Sequence, residues 1–348
     1  MIKVLIACAL MISTCVFSAP NAINWSFPKD YGAHDGFNTE WWYFTGHLST
    51  EDNTLYGFQV TFFRYKLEPV SDSTSLFNAP HLYSAHFALT DSVNQKFIFD
   101  EVHARDSFHQ VKSAKNQLDL AVKDWKLVYK DNAFLIDLTT SIGHFILELK
   151  SSKPKVFHGD QGISYKNATH SHYSHYYSHT RLNGQGKFIG ANKTLVFTKA
   201  SAWMDREIFN SLLSQDQAGW YWFALQFDTN EELMLFKVKG SKDHYYSGTF
   251  VDKQGRSVSI ASSDIKIEPL ETWRSAKSGH RYPIKWRVSI KADPAGQYPS
   301  QSYLINATVT DQELKISHPF SLFYWEGQGL VNGTKTGKAY IEIAPLRN

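Results

Sequence analysis

Only two cysteines occur in the 348 residues, Cys8 and Cys15, and both fall within the first apolar run. A chain that loses this segment keeps no thiol, which excludes disulfide staples and cysteine nucleophiles. Charge of one sign is scarce as well: 36 Lys and Arg against 33 Asp and Glu leave a formal net charge of +3. No basic stripe forms, so a nucleic-acid partner is not expected. The chain has no G-x-S-x-G elbow and no glycine-rich phosphate loop. A serine hydrolase is therefore poorly supported, and no cofactor is expected. After the first run, helical periodicity is also missing, and the best short helix candidate is 205–217.

The N-terminal stretch MIKVLIACALMISTCVFSAPNA has Lys3 ahead of an apolar run of 14 residues, Val4 to Phe17, then Ser18, Ala19 and Ala22. That pattern predicts a cleaved signal peptide over 1–22 and a periplasmic or secreted protein. The run is too short to span a bilayer comfortably. Thr14 is bulky for the position before a lipobox cysteine, so lipid anchoring at Cys15 is not expected. The remaining length suits one large domain or two medium ones.

What the chain has in abundance is aromatic surface: 10 Trp, 18 Tyr and 24 Phe, or 15% of all residues. Aromatic and β-branched runs at 40–48, 55–65, 83–91, 96–102, 133–140 and 145–150, separated by polar turns, predict strands. In the second run Tyr56, Phe58, Val60 and Phe62 share one face, and Gly57, Gln59, Thr61 and Phe63 share the other. Trp41-Trp42-Tyr43-Phe44 is echoed 179 residues later by Trp220-Tyr221-Trp222-Phe223. Each motif is followed by a polar turn and a second apolar run. An all-β chain of two similar halves accounts for this, with expected domains at 23–205 and 206–348.

Ten ordered segments carry a resemblance: FPKDYGAHDGFNTEWWYFTGHL, GFQVTFFR, SAHFALTD, GDQGISYK, HYYSHTRL, SAWMDRE, GWYWFALQF, ELMLF, RYPIKWRV and YWEG. Across nearly the whole mature chain the sequence resembles the carotenoid 1,2-hydratase (hydroxyneurosporene synthase) and AttH-like proteins, often labelled predicted secreted hydrolases. The resemblance implies two packed lipocalin-like β-barrel domains, which agrees with the internal echo. It further implies a hydro-lyase acting on an isoprenoid. Small barrels of this kind hold one apolar ligand. Arg206 stands where the family commonly has His, and the C-terminal GKAYIEIAPLRN departs from the usual ending.

A Tyr-x-Asp motif of the hydratases lands on Trp203 and Asp205, and a His-x-aromatic motif on His175 and Tyr177, with one residue of slack. Adding water to an unactivated alkene needs a proton delivered to carbon, a sheltered cation and a water. A carboxyl in an apolar pocket stays protonated because desolvation raises its pKa. Asp205 is the expected acid, Trp203 and Tyr177 the walls of the cation site, and His175 the group that orients water. Trp42, Phe44, His86, Trp220 and Trp222 are the expected ligand-binding residues. The structural alternative has Asp205 salt-bridged, with the adjacent Arg206 the obvious partner. Glu40 is expected to pair with Arg64 or Arg181, and His86, His34 and His47 also read as hydrogen-bonded core histidines.

The run HSHYSHYYSH invites a metal. On an extended strand, however, His170 and His172 fall on one face and His175 and His179 on the other, so four ligands do not converge. A two-His site completed by Asp160 or Glu207 is the remaining arrangement, and no metal is expected. Two functional classes stay open. One is an exported protein that binds a large isoprenoid or lipid-like molecule and hydrates it. The other is a non-catalytic lipid carrier of the cell envelope. A pocket that shapes a pericyclic reaction is a third reading, and peripheral contact with a membrane stays open for all of them.

Overall fold

The computed structural model describes residues 22–68, 79–211, 213, 217–240, 244–317 and 321–344. The expected signal peptide, apart from Ala22, lies outside the described residues. All six predicted strands form, at Thr39–Ser49, Leu55–Lys66, His81–Asp91, Lys96–Arg105, Ala133–Thr140 and Gly143–Ser151. They belong to a 13-stranded antiparallel sheet that wraps into a nearly closed barrel. A second sheet of 10 strands forms a half-barrel.

The internal echo has a structural meaning. Thr39–Ser49 pairs on one side with the next strand, Leu55–Lys66, and on the other with the last strand of its sheet, Thr194–Phe209. Gln217–Phe227 does the same in the second sheet, between Glu232–Gly240 and Gly337–Ala344. The change of sheet therefore lies between Phe209 and Gln217. The expected boundary at 205/206 falls inside the strand Thr194–Phe209 and has to move to the end of it. Of the short helix candidate over 205–217, residues 205–209 belong to this same strand, and 212 and 214–216 lie outside the described residues. Asp205, Arg206 and Glu207 alternate between two buried faces, and period two overrides the weak helical pattern.

Inside the barrel lies an apolar core that includes Trp42, Phe44, Phe58, Val60, Phe62, Tyr177 and Met204. The segment before the first strand closes one end. Trp25 and Phe27 pack edge-on against Tyr177, and the Tyr31 hydroxyl meets His179 Nε2 at 2.9 Å. Between the sheets lies a separate cluster, built from Tyr43, Tyr176 and Trp203 of the first half and Trp222, Met234, Phe236 and Val238 of the second. Polar contacts cross the same seam. Lys153 and Arg181 of the first half both pair with Glu232 of the second, at 2.8 and 2.5 Å.

Glu40 pairs with Arg64 as expected, and its second partner is Arg206, not Arg181. All three side chains are fully buried. Burial alone would push the Glu40 carboxyl up, but Arg206, His34 and Arg64 hold it well below the usual carboxylate range. The arginines are tied down further: Arg64 Nη2 donates to the His34 and Phe37 carbonyls, and Arg206 Nη2 to the Gly32 carbonyl at 2.8 Å. Removing one partner of such a cluster leaves uncompensated charge in the interior. Glu40→Gln should therefore lower the unfolding free energy by about 3–5 kcal/mol in denaturant titrations. A loss under about 1 kcal/mol would mean that the two guanidinium groups find water or other acceptors.

Candidate active site

Strand parity decides what can reach the seam. On Thr194–Phe209, Trp203, Asp205 and Glu207 face the second half, while Met204 and Arg206 face the barrel interior. On the neighbouring strand Tyr173–Ile189, Tyr176 and Ser178 point to the seam and Tyr177 to the core. Trp41 and Tyr43 on the first strand, and Thr61 and Phe63 on the second, complete one wall of a cavity of about 220 Å³. The opposite wall comes from Trp220, Trp222, Phe236, Val238, Tyr324, Glu326 and Glu342. The site thus lies between the two halves and inside neither barrel.

Asp205 is 3% exposed and receives three hydrogen bonds. Trp203 Nε1 donates to Oδ1 at 2.6 Å, the Ser178 hydroxyl donates to the same oxygen, and the Tyr176 hydroxyl donates to Oδ2 at 2.7 Å. Trp222 Nε1, from the other half, donates to the Tyr176 oxygen at 3.0 Å. Burial pushes the Asp205 carboxyl up, the three donors and Glu207 being the smaller influences, and the result is a pKa of about 7. Among the described residues no cation pairs with it. Arg206 is engaged with Glu40 and stacks over Trp42 at 3.9 Å, on the other face of the sheet.

Behind Asp205 runs a line of hydrogen bonds that sequence reasoning missed. Ser178 Oγ lies 2.7 Å from His158 Nε2, and His158 Nδ1 lies 2.8 Å from Thr249 Oγ1 of the second half. Burial lowers His158 to about 3, so the ring is neutral. With Ser178 donating to Asp205, Nε2 is the donor to Ser178 and Nδ1 accepts from Thr249. This is not a nucleophilic triad: the serine proton is committed to the carboxylate, and the serine is fully buried. Glu207 has a different environment, an ion pair with Lys166 at 2.7 Å and a hydrogen bond from Ser174.

The sequence-predicted residues separate by face. Asp205, His86, Trp220 and Trp222 line the cavity. Trp203 stands behind Asp205 as a hydrogen-bond donor. Trp42 and Phe44 are in the barrel core, and the cavity wall is formed by their neighbours Trp41 and Tyr43. Tyr177 likewise packs in the core, its hydroxyl on the Asp30 carbonyl at 3.1 Å, and Tyr176 takes the seam position. His175 lies on the same inward face, 5.3 Å from Phe37 by ring centroids, and is not part of the cavity wall. Trp42, Phe44, Tyr177 and His175 thus lie on the face turned away from the cavity, since a shift of one residue on a strand reverses the face. His86 is both cavity-lining and a hydrogen-bonded histidine, 3.2 Å from Ser84 Oγ and 3.4 Å from the Tyr324 hydroxyl.

Among the described residues, no three His, Cys, Asp or Glu side chains are grouped to hold a metal ion. His170 stacks on Tyr165 at 3.8 Å, and His179 is bound to Tyr31 and Ser151 in the barrel. The residues missed by sequence reasoning include Glu326 and Glu342, both on the cavity wall. Each is the lone acidic residue of its strand, next to Trp325 in one case and between Ile341 and Ile343 in the other, which was the available signal.

Comparison with known proteins supports the architecture. The chain is 28% identical to an AttH protein from Nitrosomonas europaea, with a TM-score of 0.82 over 94% of this chain and 98% of that one. It shares its fold with kievitone hydratase from Nectria haematococca at 12% identity, TM-score 0.69, over 91% and 92% of the two chains. CghA has the fold as well, at 11% identity and TM-score 0.58, over 88% of each chain. No curated protein matches the sequence. The fold is the two-domain lipocalin-like one. The family profile described as AttH-like matches residues 18–345, and the chain belongs to the AttH-like family.

Proposed function

We propose that the protein is exported and binds an apolar isoprenoid or lipid-like molecule in the seam cavity, where Asp205 catalyses addition of water to a C=C bond. The observation that carries this reading is a carboxyl on the wall of an aromatic cavity, raised to about 7 by burial and paired with no cation among the described residues. The fold shared with a protein named as a hydratase supports it, and the apolar run Val4 to Phe17 supports export. In the reaction, protonated Asp205 gives its proton to one alkene carbon, and the π pair forms the new C–H bond. Positive charge develops on the neighbouring carbon, where faces such as those of Trp222 and Tyr176 shelter it by roughly 0.5–2 kcal/mol each. A water lone pair then forms the C–O bond. The proton that this water loses returns to the Asp205 carboxylate, so the acid is regenerated and the net change is alkene plus water to alcohol.

A second reading, non-catalytic carriage, is favoured by one specific observation. Trp203, Ser178 and Tyr176 all donate to Asp205, and three donors favour the charged form. The two readings separate by extraction of the purified protein and mass spectrometry, followed by incubation of the recovered ligand in ¹⁸O-water. A product heavier by one labelled water is the expected result. Ligand that always returns unchanged identifies a carrier.

Asp205→Asn should retain ligand binding and lose turnover by about 10²- to 10⁴-fold. Turnover equal to wild type would remove Asp205 from the mechanism. Wild-type turnover should fall as pH rises through about 7, where the acid loses its proton. The sign for stability follows from the same shift. The folded-state pKa is raised, so the stabilisation is complete below the unfolded value and is lost as pH rises through about 7. Relative to wild type, Asp205→Asn should therefore gain a few kcal/mol of unfolding free energy between about pH 4 and about pH 8. A difference that does not change with pH would show that the carboxyl titrates alike in both states.

A further inference from the structure

Glu326 and Glu342 are directly opposite each other on the paired strands Leu322–Gly333 and Gly337–Ala344, and both face the cavity. Glu326 is 1% exposed. Tyr43, reaching across from the first half, donates to its Oε1, and the Tyr324 hydroxyl lies close to the same carboxyl, while Oε2 is buried with no donor among the described residues at hydrogen-bond distance. Glu342 receives Trp220 Nε1 at 3.1 Å. Burial raises both carboxyls, with each pressed further by neighbouring acids, and Glu342 reaches about 8. Like-charged carboxyls this close cannot both ionise readily. Around the cavity stand four carboxyl groups, Asp205, Glu207, Glu326 and Glu342, and one lysine, Lys166, which is already paired with Glu207. An unfilled acceptor on a buried acidic pair is costly unless something donates to it.

The geometry points to Glu326 and Glu342 as a polar subsite that accepts a hydrogen bond from a hydroxyl or ammonium group of an otherwise apolar ligand. A ligand carboxylate is disfavoured there, because the lysine on the wall is already paired with Glu207 and nothing else among the described lining residues would compensate its lost hydration. This deepens the ligand-binding reading above and rests on it, but does not rest on the hydration step. Aromatic residues supply affinity for the apolar part, and the acidic pair selects the polar end, since a site built to receive a donor discriminates strongly against groups that cannot supply one.

Four acyclic ten-carbon isoprenoids that differ mainly at one end test this: myrcene, geraniol, geranylamine and geranic acid. Their binding to the full-length wild-type protein is followed at about pH 7.5 by quenching of tryptophan fluorescence, Trp41, Trp220 and Trp222 being on the wall. Geraniol and geranylamine should bind about tenfold to a hundredfold more tightly than geranic acid. Glu326→Gln should weaken geranylamine by about tenfold or more and leave myrcene unchanged. Geranic acid binding as well as geraniol would overturn the subsite without needing any variant. Geranylamine binding unchanged in Glu326→Gln and in Glu342→Gln, with myrcene still bound, would overturn it too. If myrcene binds and the head groups make no difference, the ligand-binding reading stands and the subsite falls. If none of the four binds, both fall together.

Discussion

The ion pair between Arg206 and Glu40 determines how the rest of the site is arranged. Side chains on a strand alternate, so fixing one residue on a face fixes its neighbours on the other. Arg206 is held inside the barrel by Glu40, the Gly32 carbonyl and the ring of Trp42. Asp205 and Glu207 therefore have no choice but the seam. The residue that looked most able to neutralise Asp205 is the one that keeps it free of a cation. Because Glu40 is also bound by Arg64, the first two strands and the last are locked in a single register, and the cavity wall they form has a fixed composition.

Two similar sheets meeting face to face produce two walls of different chemistry. The first half presents a carboxyl surrounded by hydrogen-bond donors, and the second presents a carboxyl pair with an unfilled acceptor. Tyr43 reaches from one half to Glu326 of the other, and Trp222 reaches back to Tyr176. These crossings are polar as well as aromatic. The relative position of the halves is therefore specified by hydrogen-bond geometry, which apolar packing alone would define less sharply.

Much of this was legible in the sequence, and the errors have a common cause. Strands, their pairing into hairpins and the two-fold internal repeat followed from aromatic runs and polar turns. The sequence left Asp205 either as the acid or as the partner of Arg206, and the strand that runs through both residues is what sets them on opposite faces. Trp41-Trp42-Tyr43-Phe44 leaves the faces open too: both faces are buried and both are aromatic, so the run gives no sign of which residues point where. Tyr176 and Tyr177 are indistinguishable for the same reason, and His175 followed Tyr177 to the wrong face. His158, Ser178, Glu326 and Glu342 meet at the seam from distant parts of the chain, and no local pattern records long-range proximity.

The cavity belongs to neither half, since each supplies one wall. Occupancy and cohesion of the two halves are then the same equilibrium seen from two sides. A molecule that fills the seam acts as a clamp, stabilising the docked arrangement in proportion to its concentration over its dissociation constant. Separated from its partner, either half would turn a broad face of aromatic rings and buried carboxyls to water, a surface prone to self-association. The two sheets together thus enclose a space that neither encloses alone.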